Sequence, residues 1–484
     1  MIETSPPPTA PRPPVLGQLT LTKLQAVKEH YDSDRSAMSR AAQSYRRLLA
    51  HYYRLLIPSD ASVLEIGCGD GELLSLIPAG KKTGIDLSER QIARARVRVP
   101  DATFHVQAGE LLNLNETFDV IIISETLNFA ADVQQVLDRA TRVARPETRL
   151  ILNIHNNLWR PFFKVADWIG LRAPQPATSW LSPLDLQNLL ELSQWEVVKR
   201  QPRLLWPIET PLIGGLVNRW IAPFFAPFNI AIFTIARLKP RPVPEPLSVS
   251  VVVPARNEAG NIEAAIQRTP EMGIFTELIF IEGHSRDATW AEIQRVKEAY
   301  PDKRIVTLQQ TGKGKGNAVR EAFAVATGDV LMILDADLTM PPEELPKFYD
   351  AIMSGKAEFA NGSRLIYPME KRAMQFLNMI ANKSFGILFS WLLGQRVKDT
   401  LCGTKVLRRS HYERIVAQRA YFGEFDPFGD FDLLFGADKL NLKIRDIPIR
   451  YHERTYGSTN IQRWKHGVLL LRMVMFAAKK LKFV

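Results

Sequence analysis

A proline-rich stretch near the middle of the chain separates two halves, and each half alternates β-branched runs with helical segments. Residues 239–247 read KPRPVPEPL, and alternating prolines favour extended polyproline II over helix or central strand. We predict a semi-rigid linker there. It would join a domain at 41–238 to a domain at 248–484, after a flexible lead-in and helix at 1–40. A chain of 484 residues is long enough for such an arrangement.

Eight short runs, most of them rich in β-branched residues, predict the strands of the two domains. In the first half they are Val63–Ile66, Lys82–Ile85, Val120–Ser124 and Leu150–Ile154. In the second half they are Val249–Val253, Leu278–Ile281, Ile305–Leu308 and Val330–Leu334. Because helical stretches separate these runs, both domains are predicted to be α/β with largely parallel sheets.

Charge and cysteine content narrow the classes of partner and compartment. The formal net charge is +11, which favours nucleic acid, anionic lipid or phosphorylated substrates but is equally compatible with a merely soluble basic surface. The two cysteines, Cys68 and Cys402, lie in different predicted domains, so a reducing cytosol fits better than a disulfide framework. The N-terminal sequence MIETSPPPTAPRPP lacks the apolar region of a secretory signal.

Two apolar segments in the second half carry polar residues at helical spacing. They are Met374–Gln395, with Gln375, Asn378 and Asn382 on one stripe, and Arg463–Lys482, with Lys465, Arg472 and Lys479 at every seventh position. Both patterns suit helices that lie in a bilayer interface, and packing against the protein's own core or another subunit is the alternative. No apolar run reaches the roughly 18 residues of a spanning helix.

The first half contains a glycine-rich turn between a strand and a helix, in VLEIGCGDGELLSLIP. Gly67, Gly69 and Gly71 permit a tight turn and a close approach of backbone to ligand. A dinucleotide site would need a glycine at position 72, where Glu72 stands, and this weakens that alternative. Carboxylates end this strand and the next one, at Glu65 and at Asp86 within GIDLSE.

This E-x-G-x-G-x-G pattern resembles the class I S-adenosylmethionine-dependent methyltransferases. The likeness continues through GIDLSE, FHVQAGELLNL and FDVIIISETLNFAADVQQVLDRATRVARPETRLIL, over roughly residues 45–153. It implies a Rossmann-like domain that binds S-adenosylmethionine through Glu65, Gly67, Gly69, Gly71, Asp86 and Glu110. In this interpretation Asp86 bonds the ribose hydroxyls. His155 is a candidate general base, although a single histidine after a strand is more often structural.

In the second half, polar residues follow four successive predicted strands. The motifs are VSVVVPARNEAGNIEAAI, LIFIEGHSRDATW, TGKGKGNAVREAF and VLMILDADLTM. We expect their side chains to meet at one sheet edge, where open α/β sheets bind ligands. Asp335 and Asp337 lie two residues apart, so in an extended chain both carboxylates can reach one Mg²⁺ or Mn²⁺ ion. Such an ion would neutralise a diphosphate leaving group.

These motifs resemble the family 2 glycosyltransferases of the GT-A fold, and most closely the dolichyl- or polyprenyl-phosphate sugar transferases. NGSRL, KDTLCGTKVL, FGDFDLLFGA and ERTYGSTNIQRWKHG extend the likeness across residues 248–467. It implies nucleotide-sugar binding by Pro254, Asn257, Glu258, Glu282, Asp287 and Lys315. It further implies that Asp335 and Asp337 hold the metal and that Arg364 and Arg454 bind phosphate of the acceptor. Asp430 is a candidate base for a hydroxyl acceptor, with helix capping as the alternative role.

The sequence thus predicts a bifunctional enzyme that transfers a sugar from a nucleotide-sugar to a polyprenyl-phosphate or glycolipid acceptor and a methyl group to an unknown acceptor. We expect a cytoplasmic protein that associates peripherally with the cytoplasmic membrane face and has no nucleic-acid partner. Two alternatives stay open. The first domain could bind its cofactor without catalysis, or the chain could be a basic RNA-modifying methyltransferase fusion, although no RNA-binding aromatic motif supports this.

Overall fold

The computed structural model describes residues 17–33, 40–168, 176, 178–367, 376–419, 430–454, 456 and 463–484. The chain divides into two compact units, Met1–Lys239 and Pro240–Val484. Each unit contains one seven-stranded sheet.

The first unit is built on a mostly parallel sheet. Its strands are β1 (Ser62–Ile66), β2 (Lys81–Asp86), β3 (Thr103–Val106), β4 (Phe118–Ser124), β5 (Ala144–His155), β6 (Trp195–Arg203) and β7 (Ala231–Leu238). Their order is β3-β2-β1-β4-β5-β7-β6, and β7 runs antiparallel to both of its neighbours. All four strands predicted for this half are confirmed.

Helices cover both faces of this sheet. They are α1 (Gln18–Asp32), α2 (Arg40–Leu56), α3 (Glu72–Leu76), α4 (Glu89–Arg98), α5 (Val133–Ala140), α6 (Arg160–Trp168), α7 (Pro183–Leu192) and α8 (Ile213–Leu216). On one face Leu137 of α5 and Leu186 of α7 pack with Leu64 and Ile121 of the sheet. The fully buried Trp195 joins this core, and its indole nitrogen donates to the Leu137 carbonyl at 3.0 Å.

The sheet of the second unit is mixed. Its strands are β8 (Val249–Ala255), β9 (Thr276–Glu282), β10 (Arg304–Gln309), β11 (Val330–Ile333), β12 (Phe359–Ser363), β13 (Lys405–Arg408) and β14 (Ile444–Pro448). The order is β10-β9-β8-β11-β13-β12-β14, with β13 antiparallel to β11 and β12. The four strands predicted for this half are confirmed, and they pair in parallel with one another, as β12 does with β14.

Two apolar cores flank this second sheet. Its helices are α9 (Ile262–Arg268), α10 (Thr289–Ala299), α11 (Lys315–Val325), α12 (Leu345–Met353), α13 (Phe376–Leu393), α14 (Arg409–Ala417), α15 (Asp430–Lys439) and α16 (Arg463–Leu481). Ile266, Ile293 and Phe348 pack on one face of the sheet. Phe323 and Phe435 belong to the core on the other face.

Helices α13 and α16, which contain most of the two predicted interfacial segments, contribute to the protein's own core. Phe389 of α13 and Met473 of α16 are buried in it, and so is Asn382 from the predicted polar stripe. The outer side of α16 still exposes Leu471 and Met475 beside Arg472 and Lys479. Residues 374 and 375 lie outside the described residues. In the part of the chain that the structure describes, no helix is both long enough and apolar enough to cross a bilayer.

The topology places two switch points at the carboxyl ends of the strands. In the first sheet the strand order reverses between β1 and β4, and in the second between β8 and β11. At such a point the loops after neighbouring strands diverge and leave a crevice for a ligand. The predicted glycine turn follows β1, and the predicted aspartate pair follows β11.

The predicted linker, residues 239–247, contains no helix or strand.

Candidate active sites of the two units

The turn after β1 needs glycine for two different reasons. Gly67 has φ +76°, and a Cβ atom there would collide with the Thr126 side chain. Gly69 has φ +52°, and a Cβ atom there would meet nothing within 4 Å. The first glycine therefore permits close packing against the loop after β4, while the second faces open space that can hold a ligand.

Asp86 at the end of β2 organises this turn. Its Oδ2 atom accepts from the Gly69 amide and its Oδ1 atom accepts from the Ser88 amide, both at 2.9 Å. Burial raises the pKa of the Asp86 carboxyl, and the two amide bonds partly oppose that effect. Asp86 thus lies beside the glycine turn, and its contact with a cofactor ribose stays a prediction.

Glu65 is a buried carboxylate with an unsatisfied oxygen. Its side chain lies on β1, and its Oε2 atom has no hydrogen-bond partner among the described residues. Burial raises the pKa of the Glu65 carboxyl well above its ordinary value. A buried oxygen of this kind is costly unless a donor reaches it. A ligand that carries an ammonium group would supply that donor, and the methionine end of S-adenosylmethionine carries one.

Glu110 has a structural partner within the protein. It is buried in a 3₁₀ turn at Gly109–Leu111, and its Oε1 atom accepts from the amides of Ala131 at 2.7 Å and Asp132 at 3.3 Å. These bonds fix the loop that leads into α5. Contact between Glu110 and a bound cofactor stays a prediction.

A polar network that the sequence did not predict lies where β4 and β5 end. The Glu125 Oε1 atom accepts from the Tyr45 hydroxyl at 2.6 Å and lies 3.1 Å from Nε2 of His155. Nδ1 of the same imidazole lies 3.3 Å from Nδ2 of Asn128, and the Tyr45 ring stacks on it at 5.8 Å. Both ring nitrogens are thereby engaged. Glu125 has φ +58°, a backbone conformation that is uncommon for residues other than glycine. Because no glycine stands at this position, nothing in the sequence indicated this conformation.

In the second unit, Arg454 joins two carboxylates that come from different strands. Its Nη1 atom lies 2.8 Å from Oε1 of Glu258, in the loop after β8. Its Nη2 atom lies 2.6 Å from Oδ2 of Asp337, in the loop after β11. Burial raises the pKa of Glu258, and the nearby guanidinium opposes this. Arg454, predicted to bind phosphate, is here the counter-ion of a predicted donor-site residue, Glu258, and of a predicted metal ligand, Asp337.

Asp335 is paired with a different cation. Nζ of Lys315, the first residue of α11, lies 2.6 Å from Oδ1 of Asp335. Burial raises the pKa of Asp335, but the charge and hydrogen bond of Lys315 outweigh it, so that the pKa is lowered. Gly403 lies against this pair, since a Cβ atom at that position would collide with both the Asp335 carboxylate and the Lys315 ammonium group.

The remaining predicted donor-site residues fold the loops after β8 and β9 onto each other. Asn257 has φ +58°; its amide donates to Ser285 Oγ at 3.0 Å, and its side-chain oxygen accepts from the Arg286 amide at 2.8 Å. Glu282 accepts from the Ser285 amide. Asp287 accepts from the Thr289 amide at 3.0 Å. Pro254 lies near the end of β8, in register with Ile281.

Arg364 is bound to a buried carboxylate. Its Nε and Nη2 atoms lie 2.7 and 2.8 Å from the two oxygens of Asp399, which is fully buried. Burial alone would raise the pKa of Asp399, but the Arg364 guanidinium outweighs it and lowers that pKa. Phosphate binding by Arg364 stays a prediction. Asp430 begins α15, and its side chain lies outside the described residues.

Comparison with known families decides the class of each unit. A family model described as "Methyltransferase domain" matches residues 34–200, and one described as "Glycosyl transferase family 2" matches residues 250–416. The chain carries a methyltransferase domain followed by a family 2 glycosyltransferase domain. The predicted fold class is therefore confirmed.

Curated relatives of the glycosyltransferase domain include polyprenyl-phosphate sugar transferases. A dolichol-phosphate mannosyltransferase from Pyrococcus furiosus is 29% identical over 223 residues, which are 45% of this chain and 60% of that protein. An undecaprenyl-phosphate 4-deoxy-4-formamido-L-arabinose transferase from Pectobacterium carotovorum is 27% identical, over 47% of this chain and 65% of that protein. The chain thus spans less than two thirds of the length of these relatives.

Among solved structures, a Thermotoga maritima SAM-dependent methyltransferase, described as a possible histamine N-methyltransferase, is similar to part of the chain. The sequence identity is 21% and the TM-score is 0.34, with 46% of this chain and 99% of that one covered.

The acidic edge of the glycosyltransferase domain, which is the loop after β11 with Asp335 and Asp337, offers two carboxylates as oxygen ligands. Within the described residues, no three His, Cys, Asp or Glu side chains form a metal site by themselves. Mg²⁺ is commonly bound by one or two carboxylates, with substrate phosphates and water in the other positions. Asp335 and Asp337, whose partners here are the cations Lys315 and Arg454, fit that pattern.

Proposed function

We propose that the chain is a bifunctional enzyme whose second domain, at 248–484, transfers a sugar from a nucleotide-sugar to a polyprenyl-phosphate or glycolipid acceptor with Mg²⁺ or Mn²⁺. Its first domain, at 41–238, transfers a methyl group from S-adenosylmethionine to a separate acceptor. The observation that carries the proposal is the bridge from Arg454 to Glu258 and Asp337. It brings the predicted donor carboxylate and the predicted metal carboxylate to one point.

Asp335 and Asp337 would hold the metal ion, which neutralises the charge of a departing nucleoside diphosphate when it is bound. Glu258, Glu282 and Asp287 would bind the nucleoside, with Pro254 and Asn257 shaping the loop and Lys315 close to the diphosphate. In the described structure Lys315 and Arg454 neutralise the carboxylates. Lys315 would exchange its carboxylate for oxygens of the donor diphosphate, and Arg454 would exchange its carboxylates for the acceptor phosphate, as metal, donor and acceptor bind. Charge balance is thereby maintained in a partly buried site.

The acceptor is proposed from the names of the relatives, which are dolichol-phosphate and undecaprenyl-phosphate sugar transferases. A phosphate oxygen is already anionic and needs no general base, so catalysis then rests on alignment and on charge neutralisation of the leaving group. Arg364 and Arg454 are the proposed acceptor-phosphate cations. For a hydroxyl acceptor, Asp430 is the proposed base. A peripheral location at the cytoplasmic membrane face follows from a lipid-linked acceptor.

In the methyltransferase domain, Glu65 and Asp86 would hold the cofactor against the glycine turn of Gly67, Gly69 and Gly71. Glu110 would contact the adenine of the cofactor. Bound S-adenosylmethionine supplies an electrophilic methyl group. The protein's part is to hold the acceptor in line with it, since proximity and orientation account for most of such a rate enhancement. The unsatisfied Glu65 oxygen and the open space before Gly69 support this assignment.

A paired transfer assay tests the proposal. Purified full-length protein is incubated with Mn²⁺, radiolabelled nucleotide-sugars and extracted membrane lipids, and separately with methyl-labelled S-adenosylmethionine. We expect labelled sugar in the lipid phase that disappears in Asp337→Asn and persists in Asp302→Asn, which alters an exposed aspartate. Methyl transfer should disappear in Asp86→Ala while sugar transfer continues. Methyl transfer that persists in Asp86→Ala, or sugar transfer that persists in Asp337→Asn, would overturn the corresponding half.

A further inference from the structure

One segment of the methyltransferase unit, residues 212–228, buries an asparagine side chain and exposes several large apolar side chains, and we call it the reversed segment. In residues 212–228, Asn218 is buried and its amide group bonds the main chain of Leu205 and Trp206 at 2.7–3.0 Å. Leu212 and Phe224, by contrast, are 91% and 65% exposed. The buried amide fixes the backbone, and the apolar side chains that would ordinarily form a core face outward.

Helix α6 continues this surface. None of its side chains is buried, and Trp168 is 86% exposed. The turn before α6 is tied to the end of the reversed segment, because Nε1 of Trp159 donates to the Phe228 carbonyl at 2.7 Å. Nδ2 of Asn156 donates to the Pro227 carbonyl, also at 2.7 Å. We call the exposed apolar side chains of α6 and residues 212–228 the apolar face; they include Phe162, Trp168, Leu212, Trp220, Phe224 and Phe228.

Single exposed apolar residues are ordinary, but a concentration of large ones in joined segments marks an interaction surface. Leu212 also has φ +65°, which is unfavourable for a bulky side chain. The backbone thus bears a conformational cost while it presents a leucine to solvent. Both features are expected where the partner lies outside the chain.

The charges at this face point to an anionic bilayer as the partner. Arg160 and Lys164 on α6 and Arg219 in the reversed segment are all exposed. Asp167 is the sole carboxylate in residues 158–168 and 212–228. Arg219 lies 5.6 Å from the ring of Trp220, and tryptophan beside arginine is typical of the headgroup region of a membrane. Phenylalanine, leucine and tryptophan rimmed by cations are typical of surfaces that lie in the interface of anionic lipid.

We propose that the methyltransferase unit docks on anionic lipid bilayers through the apolar face, independently of α13 and α16. The consequence for the acceptor rests on the proposed methyl transfer. Phe163 of α6 lies edge-on to the imidazole of His155 at 5.2 Å, so the helix that enters the interface also borders the Glu125–His155 network. A methyl acceptor anchored in the same bilayer would reach the site along this side.

Vesicle binding of the full chain tests the docking. Full-length protein is sedimented with phosphatidylglycerol–phosphatidylcholine vesicles and with phosphatidylcholine vesicles. The double variant Phe162→Ser/Phe224→Ser should bind the anionic vesicles at least about tenfold more weakly, because two exposed phenylalanines that would enter the bilayer are lost. Val97→Ser, at another exposed apolar position, should bind like wild type. Unchanged binding by the double variant would overturn the proposal, as would equal binding of wild type to both kinds of vesicle.

A local probe separates this face from the rest of the chain. Both native cysteines are buried, so Phe224→Cys and Val97→Cys can each be labelled with an environment-sensitive fluorophore. Anionic vesicles should shift the emission to shorter wavelength at position 224 and leave it unchanged at position 97. A shift that appears with protein concentration and without vesicles would show self-association and overturn the proposal. Neither experiment involves catalysis, so failure of the proposed function would leave its result intact.

Discussion

The Nη2 atom of Arg454 lies 2.6 Å from Oδ2 of Asp337, so a cation from the chain occupies the carboxylate predicted to hold a divalent metal. The same guanidinium reaches Glu258. A metal ion that approaches Asp337 therefore competes with Arg454 for the same oxygen. Binding of the metal and release of the arginine are coupled by charge.

Removal of this competitor should tighten metal binding. Arg454→Ala takes away a positive charge within contact distance of Asp337, and for a partly exposed pair this corresponds to a several-fold increase in Mn²⁺ affinity. Electron paramagnetic resonance of free Mn²⁺ measures it in the absence of donor. Arg450→Ala removes an exposed arginine that lies over the Tyr367 ring and should leave the affinity unchanged. Mn²⁺ affinity that is equal or weaker in Arg454→Ala would contradict the competition.

The position of Gly403 provides a second test of the acidic edge. A methyl group there would push the Asp335 carboxylate and the Lys315 ammonium group apart, and both are the mobile ends of side chains. We expect Gly403→Ala to fold normally, because the three atoms nearest to the new methyl group belong to side chains, yet to transfer sugar at least about tenfold more slowly. Gly17→Ala, where a methyl group meets nothing within 4 Å, is the control. An unaltered transfer rate in Gly403→Ala would show that this ion pair does not take part in catalysis.

The buried Glu65 carboxylate should lower the unfolding free energy of the methyltransferase unit while it increases the affinity for the cofactor. Its pKa is raised by burial, so the folded state holds the proton more tightly than the unfolded state, and this residue lowers stability as pH rises above about 4. Glu65→Gln removes that penalty. We expect its unfolding free energy at neutral pH to exceed that of the wild type and the difference to vanish in acid. Thermal unfolding across pH measures this, and a variant less stable than wild type at neutral pH would contradict it.

The same substitution should weaken S-adenosylmethionine binding. A hydrogen bond to a charged group contributes about 1.5–3 kcal/mol, so calorimetry should show roughly ten- to hundredfold lower affinity for Glu65→Gln. Glu116→Gln, which alters a carboxylate paired with Lys81, is the control. Equal affinity in the Glu65→Gln variant would remove Glu65 from the cofactor site.

Loss of one partner of the buried pair of Arg364 and Asp399 should strongly destabilise the glycosyltransferase unit. Asp399→Asn leaves the arginine with an unpaired buried charge, and we expect the free energy of unfolding in urea to fall by about 3–5 kcal/mol. The pKa of Asp399 is lowered, so its contribution is present above the unfolded value of about 4 and is lost as pH falls through the folded value. The difference between wild type and variant should therefore shrink in acid. Asp302→Asn should change little, and a similar loss there would contradict the assignment.

The sequence predicted the parts of the fold that depend on local pattern. The eight predicted strands were all correct, and most of them carry the continuous apolar run that is typical of parallel strands buried on both faces. The carboxyl-edge rule correctly grouped Glu258 with Asp337. The partner that joins them, Arg454, lies 196 residues beyond Glu258, and local spacing holds no information on such a contact.

The apolar face and the network around Glu125 escaped prediction for a related reason. An apolar residue has the same signature in a core as on a docking surface, so residues 212–228 could be assigned to neither until their exposure was known. For α16 the pattern of charges suggested an interface, while Leu470, Met473 and Ala477 complete a core. The position of the Glu125 side chain depends on a left-handed backbone conformation at this residue. No turn motif in the sequence predicts that conformation.

The central claim is that Asp335 and Asp337 hold the divalent ion on which sugar transfer depends. The most direct measurement is the transfer rate to lipid over a titration of Mn²⁺ after chelation, in wild type and in Asp337→Asn. We predict that chelation stops the wild type, that Mn²⁺ restores it, and that Asp337→Asn stays at least about a hundredfold slower at every concentration. Transfer that survives chelation, or an Asp337→Asn variant with the same Mn²⁺ dependence as the wild type, would contradict the claim.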